Sequence, residues 1–331
     1  MKALVYTGPE SIDYRDQPDP VSDTDIIVKV AACGICGSDM HAYLGHDERR
    51  PAPLILGHEA AGDIIGGPMA GRRVAINPLV TCGSCNECLG GRSNLCRERQ
   101  IISMMPRPGA FAEYVAIPAS NIVELPEGMT YEAAALTEPM AVSYHAVNLA
   151  ERALTMPLTA ARVVILGGGA IGMGAAHIVR SRGAGQIFIA ETSALRREII
   201  NTNGSFISYE PGGPGQPSES SIDLVIDAYG AERSREAACH LARPGGVIVH
   251  IGLATGTGGL DIRKLTLQEI GFIGTYTYTM VEFRETLAGL AAGTFGEIDW
   301  TEERPLSDGA RAFHELHEGK IAAAKIILRQ S

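Results

Sequence analysis

The stretch ARVVILGGGAIGMGAAHIVRSRGAGQIFIAE, residues 161–191, limits the possible fold more than any other part of the chain. Val163 to Leu166 form a short apolar run closed by glycine, the pattern of a strand buried on both faces of a parallel sheet. Gly167, Gly169 and Gly172 then follow at G-x-G-x-x-G spacing and open a helix, after which Gln186 to Ala190 form a second strand ending at Glu191. A glycine fingerprint alone is weak, but here it stands between its required strand and helix. Gly167 and Gly169 let backbone meet a pyrophosphate at the helix N-terminus, and Gly172 lets helix and strand pack closely. A βαβ unit without a nucleotide is the bland alternative. Similar apolar runs ending in turn residues recur in IDLVIDAYG, RPGGVIVHIGLATG and EIGFIGTYTYT, with a helical stretch from Ala231 to Leu241 between them. Together they imply a parallel, doubly wound sheet.

Glu191 lies about twenty residues past the glycines, where an acid holds a ribose diol. A carboxylate about 4 Å from a 2′-phosphate costs on the order of 4 kcal/mol at an effective dielectric near 20, which favours NAD over NADP. Arg196 and Arg197 follow closely and soften that repulsion.

A chain of 331 residues exceeds one compact core and reads as two domains. Its formal charge of −10 argues against nucleic acid or an anionic membrane as partner, leaving small molecules. The opening MKALVYTGPESIDYRDQPDP lacks a secretory pattern, and no apolar run approaches the roughly eighteen residues of a membrane span, so a cytoplasmic protein is expected. Glu210 to Ser221, EPGGPGQPSESS, reads as a flexible surface loop.

Seven cysteines in a reducing compartment point to metal ligands before disulfides. Cys82, Cys85, Cys88 and Cys96 follow C-x2-C-x2-C-x7-C, with Gly83, Gly90 and Gly91 supplying turns, which suits zinc in a closed tetrahedral sulfur site that braces a lobe. Two disulfides, an iron–sulfur cluster and a nucleic-acid finger compete. The compartment, the lack of a terminal Cys-Pro and the acidic balance weaken them in turn.

Upstream, Cys36, His58 and Glu59 are the donor types of an open zinc site. Ser38 and His41 follow Cys36 closely enough to carry a proton outward, although a turn cap and a surface histidine are the bland readings. Glu138, before Pro139 in an apolar stretch, needs a buried partner: zinc suffices, and first-turn helix chemistry is the alternative. One thiolate and one carboxylate already neutralise Zn2+, so Glu59 and Glu138 are not expected to be full ligands together.

With both cysteine sites, GHE and the glycine fingerprint in this order, the chain resembles the zinc-dependent medium-chain alcohol dehydrogenases over essentially its whole length. GICGSDMH, GHE and EPMAV, with no cysteine near Glu138, look like the polyol branch of sorbitol, butanediol and threonine dehydrogenases. The resemblance implies an α/β protein: a GroES-like β-rich catalytic domain (1–140 and 285–331) around a Rossmann NAD-binding domain (141–284). It implies catalytic zinc at Cys36 and His58, completed by Glu59 or Glu138, structural zinc at Cys82, Cys85, Cys88 and Cys96, and a relay through Ser38 and His41. Nucleotide contacts are expected at Gly167, Gly169, Ala170, Ile171, Gly172, Glu191, Arg196, Ile251 and Leu253, and assembly as a homodimer or homotetramer through the inserted domain. Two departures stand out: the short loop DIIGGPMAGRRV, with Arg72 where aspartate is usual, and a trimmed stretch from Asn203 to Ile222.

The expected reaction is reversible oxidation of a secondary alcohol, a polyol or vicinal diol, to a ketone. Zinc acts as Lewis acid, Ser38 takes the proton, His41 passes it on through the cofactor ribose, and hydride goes to NAD. An NADP-linked or zinc-independent reductase and a non-catalytic nucleotide sensor are the rival readings; quenching of the single Trp300 by NADH without turnover would favour the sensor. Tyr43 is expected to line the pocket, and Arg49 and Arg50 to form a basic pair that accepts a phosphorylated polyol or is merely solvated. Cys33 and Cys239 read as buried small hydrophobes.

Overall fold

The computed structural model describes residues 1–202 and 206–330. Of the stretch from Asn203 to Ile222, residues 203–205 thus lie outside the described residues.

The N-terminal part is built from short strands. β1 (Lys2–Gly8), β2 (Ser11–Asp16) and β3 (Ile26–Gly34) lead into helix α1 (Gly37–Tyr43), followed by β4 (Leu54–Ile55), β5 (Glu59–Ile65) and β6 (Arg73–Ile76). β7 (Leu79–Val80) and β8 (Gln100–Ile101) pair across the cysteine loop, which carries α2 (Asn86–Leu89). β9 (Tyr114–Ile117), β10 (Ile122–Glu124) and α3 (Tyr131–Ala135) close this part. Helix α4 (Thr137–Ala153) opens an alternating run: β11 (Arg162–Leu166), α5 (Ala170–Ser181), β12 (Gln186–Ala190), α6 (Ala194–Thr202), β13 (Ile207–Tyr209), β14 (Ile222–Asp227), α7 (Glu232–Leu241), β15 (Ala242–His250), α8 (Ile262–Leu267) and β16 (Gly271–Gly274). The chain then returns through α9 (Met280–Ala291), β17 (Thr301–Pro305), α10 (Gly309–His317) and β18 (Lys325–Arg329).

The return matters most for function. β18 pairs antiparallel with β3, Leu328 opposite Cys33, in a sheet ordered β10-β6-β5-β3-β18-β17 with β9 also on β3. The two chain ends thereby meet in one sheet. Strands β13-β12-β11-β14-β15-β16 form the second, wholly parallel sheet. Its strands alternate between two cores: Val163 and Ile165 of β11 pack with α4 and α5, while Val164 and Leu166 pack with α7. Both faces are covered, so the strand reads as a continuous apolar run. Close packing of α5 requires Gly172, where a Cβ would lie 1.8 Å from the carbonyl oxygen of Gly167. Glu210 to Ser221 takes neither helix nor strand.

The expected domain boundaries at 140/141 and 284/285 fall inside α4 and α9. The physical reason is that α4 belongs to both cores. Ala141 packs with Phe283 and Leu287 of α9 and with Ala61 and Ala75 of the first sheet, whereas Met140, Ala146 and Val147 face the second. The seam is a pair of packed helices, not a linker. Glu282 of α9 ties them: its carboxylate meets His145 Nδ1 and Asn148 Nδ2 of α4, each at 2.9 Å, and caps its own helix through the Thr279 amide at 2.9 Å. Burial raises the Glu282 carboxyl, but bonds from His145, the Thr279 amide and Asn148 outweigh it and hold it at about 2, below its ordinary 4.5.

Replacing Glu282 by Gln is expected to cost on the order of 2 kcal/mol of stability. Because the folded-state value is depressed, that contribution is fully present above pH 4.5 and fades as pH falls towards about 2. Urea unfolding of both proteins at stepped pH should show the gap closing in that window.

Candidate active site and metal centres

The four cysteines of the loop converge. Cys85 and Cys88 Sγ lie 3.5 Å apart, Cys96 and Cys82 3.6 Å, and Cys82 and Cys88 4.0 Å. A disulfide requires about 2.05 Å. Sulfurs around tetrahedral zinc, with Zn–S near 2.3 Å, stand about 3.8 Å apart. All seven cysteines are free thiols. The amides of Ser84 and Cys85 pull the Cys82 thiol down to about 6, favouring a thiolate. The loop therefore fits zinc and not a disulfide pair. Cys33 and Cys239 are buried, as expected.

The second cluster forms where α1 begins and β5 begins. Cys36 caps α1, its sulfur accepting the Ser38 amide at 3.5 Å while Asp39 reaches back to the Cys36 amide at 3.0 Å. Ligand atoms of Cys36, His58 and Glu59 all lie within 4.8 Å of one another. His58 Nδ1 stands 3.4 Å from Asp39 Oδ1, which leaves Nε2 as the nitrogen for a metal. Burial opposes the charged imidazole, yet Asp39 and Cys36 push its pKa well above 6.5; the same pairing holds buried Asp39 at about 2.

Glu59 has a partner the sequence reading missed. Lys325 Nζ, on returning strand β18, lies 2.7 Å from Glu59 Oε1 and donates to the Ile35 carbonyl at 2.8 Å. Both side chains are at most 2% exposed. Burial disfavours the ammonium, but Glu59 and Cys36 raise it above 10.5, so it stays charged. Gly34, paired with Glu59 across β3 and β5, makes the room: a Cβ there would lie 2.1 Å from Glu59 Oε2. That Oε2 is buried without a hydrogen-bond partner. Glu138, in the first turn of α4, accepts the Tyr278 hydroxyl at 2.8 Å, and burial raises its carboxyl to about 7. A thiol, an imidazole, an unpartnered buried oxygen and a carboxylate short of positive charge fit a divalent cation.

Ser38 and His41 share one face of α1 and line the same cleft of about 380 Å3 as Cys36, His58 and Glu138. Among the described residues no hydrogen bond joins Ser38 to His41 directly. Instead Arg50 donates to Ser38 Oγ at 3.4 Å and to its carbonyl at 3.3 Å. Burial, with His46, lowers the His41 pKa and keeps the ring neutral near pH 7, able to accept a proton. Ile171, Ile251 and Leu253 form the opposite wall, at the C-terminal edge of the parallel sheet. There Gly167 takes φ +104° and Gly169, the residue before α5, has open space beside it. Glu191 accepts the Gly168 amide at 2.9 Å and the Ser193 amide at 2.8 Å, so its carboxylate is fixed against the glycine turn.

Some expectations need correction. Tyr43 does not line the cleft: it is 4% exposed and packs on Phe313, ring centroids 5.3 Å apart, because it lies on the inner face of α1. Arg49 and Arg50 are not a solvated pair. Arg50 is 3% exposed and engages Asp47, Ser103 and Ser38, while only Arg49 reaches solvent. Arg197 clamps the Glu191 backbone, with Nη1 2.6 Å from its carbonyl. Trp300 is buried beside His177 and does not line the cleft. Lys325 carried one signal, a lone charge within IAAAKIIL; Tyr278 and Asp39 carried none.

Lys325→Met leaves Glu59 buried and unpaired, an expected cost of roughly 3 kcal/mol or more in urea unfolding, which adding Glu59→Gln should partly restore. Cys88→Ser is expected to lose one bound zinc per chain by elemental analysis while the ion at Cys36 and His58 remains.

Residues 22–127 match the family model described as alcohol dehydrogenase GroES-like domain, and residues 170–292 match zinc-binding dehydrogenase. The chain is 32% identical over 307 residues to L-galactonate-5-dehydrogenase of Escherichia coli (strain K12), covering 88% of each. It is 31% identical over 296 residues to sorbitol dehydrogenase of Bacillus subtilis (strain 168), covering 84% of this chain and 82% of that one. Among solved structures, L-idonate 5-dehydrogenase from Escherichia coli superposes with a TM-score of 0.87 at 26% identity, covering 99% of this chain and 97% of that one. Two clusters of metal-ligand side chains, a cleft walled by Ile171 and Ile251 of the parallel-sheet half and these matches converge: the chain belongs to the zinc-dependent medium-chain alcohol dehydrogenases, in their polyol dehydrogenase branch.

Proposed function

We propose that the protein is a zinc- and NAD-dependent dehydrogenase that reversibly oxidises a secondary alcohol, in a polyol or vicinal diol, to a ketone. The observation that carries this is one cleft in which Cys36, His58 and Glu138 face the wall formed by Ile171, Ile251 and Leu253. Relatives named for galactonate, sorbitol and idonate support a substrate rich in hydroxyls.

Cys36 and His58 hold the metal, with one carboxylate completing the set. Distances favour Glu59 and charge balance favours Glu138. We prefer Glu138, because Lys325 already neutralises Glu59, and a carboxylate rotates at little cost whereas an uncompensated buried charge costs several kcal/mol. A zinc ion there supplies Lewis acidity towards the alcohol oxygen. Ser38 Oγ takes the hydroxyl proton, and neutral His41 on the same helix face accepts it at the solvent side. Arg50 orients Ser38 by donating to Oγ, leaving that hydroxyl's own proton free to move on. Ile251 and Leu253 exclude water from the nicotinamide face. Glu191, held beside the glycine turn, receives the adenosine ribose hydroxyls and repels a 2′-phosphate. The reduced thiols agree with a cytoplasmic setting, and the outer edge of β16 offers a place for pairing of two copies.

The test is a panel of polyols assayed by NAD reduction, with zinc measured on the same sample. Cys36→Ala and Glu138→Gln are each expected to lower kcat at least on the order of a hundredfold, while NADH binding by calorimetry persists. Glu191→Ala should narrow the preference for NAD over NADP. Turnover that survives loss of the Cys36 ion would instead favour a zinc-independent reductase, and NADH binding with no turnover on any alcohol a sensor.

A further inference from the structure

We propose that the substrate carries an anionic group, a carboxylate or a phosphate, on a carbon remote from the one oxidised, and that Arg49 receives it. This rests on the dehydrogenase reading above and narrows its substrate class.

The protein as a whole bears a formal charge of −10, yet its cleft does not. Arg49 and Arg50 both line it, and between them stands a single carboxylate, Asp47, 2.8 Å from Arg49 Nε and 2.6 Å from Arg50 Nη1. Among the described residues Asp47 is the one carboxylate bonded to either guanidinium, and buried Asp39, which Arg50 also acts on, is paired with His58. A third guanidinium stands close by: Arg99 donates to the hydroxyl of Tyr276, which lines the same cleft, at 3.2 Å. Glu48 and Glu98, the neighbouring acids in sequence, are exposed and do not line it. Glu138, in the metal centre, is the one carboxylate on the lining among the described residues.

The two arginines have divided labour. Arg50 spends its donors on Asp47, the Ser103 carbonyl and Ser38. Arg49 uses Nε and Nη2 on Asp47, leaving Nη1 without a partner among the described residues on a side chain 63% exposed. Asp47 thus fixes the Arg49 guanidinium in place without fully cancelling its charge, which reduces the entropy lost when an anion binds. Because Arg50 touches Ser38, Arg49 stands one residue further along the wall from the proton relay. A chain bound with its hydroxyl at Cys36, Ser38 and His58 would run outward to that guanidinium.

The experiment compares a neutral alditol, the aldonate of the same carbon skeleton and the corresponding alditol monophosphate, in wild type, Arg49→Ala and Arg49→Lys, at low and high ionic strength. Wild type is expected to favour an anionic substrate over the alditol roughly tenfold or more in kcat/KM, mainly through KM and less so at high salt. Arg49→Ala should collapse that ratio with kcat on the anion changed far less than KM, and Arg49→Lys should restore part of it. Preference for the aldonate identifies a carboxylate, and preference for the monophosphate a phosphate. An alditol turned over as well as both anions, or a ratio unchanged in Arg49→Ala, overturns this inference while leaving the dehydrogenase reading intact. Failure of every alcohol, charged or neutral, to reduce NAD overturns both.

Discussion

The ion pair between Glu59 and Lys325 joins residues 266 positions apart at the centre of the molecule. Burying two charges costs several kcal/mol each unless geometry and further hydrogen bonds offset it. Here the ammonium also binds the Ile35 carbonyl, one residue before Cys36, and Gly34 leaves space for the carboxylate. The pair exists only if β18 docks against β3, so correct return of the chain and correct charge at the metal centre are one event. Lys325 also changes the charge of the centre, because it neutralises one of its two carboxylates, Glu59, and leaves Glu138 without a cation bonded to it among the described residues.

The second constraint is where two different architectures meet. A doubly wound sheet presents its ligand crevice at the C-terminal ends of its strands, where the order reverses. In this chain that edge carries the glycine turn after β11 and Ile251 after β15, and it opens on the cleft that holds Cys36 and His58. Helices α4 and α9 belong to both cores and hold the edges in register. Glu138 sits on α4, so the helix that joins the domains also places a buried carboxylate on that cleft. Hydride transfer needs reacting atoms aligned within a few tenths of an ångström, and a shared helix does this better than a loop.

Around this centre, polar side chains act in pairs. Asp39 orients His58, Tyr278 meets Glu138, Arg50 touches Ser38, and Asp47 positions two arginines at once. One cleft thus brings together Cys36, His58 and Glu138, Ser38 and His41 of α1, and the two arginines Arg49 and Arg50. Asp47 is shared by Arg49 and Arg50 instead of being matched to one of them.

Much of this was legible in the chain alone. Spacing placed four cysteines in one site, and the fingerprint placed a nucleotide turn between β11 and α5, because both signals are local: their chemistry needs residues within a few turns of backbone. Cys36, His58 and Glu59 read as donor types of an open metal site, with Glu138 as the rival carboxylate. Tertiary packing decided the rest. No periodicity shows that Lys325 meets Glu59, that Tyr278 meets Glu138 140 positions away, or that Tyr43 turns into the core while Arg49 turns out. Those outcomes depend on which strand lies beside which and on the charge each buried group must answer, quantities that exist only once distant segments have been brought together.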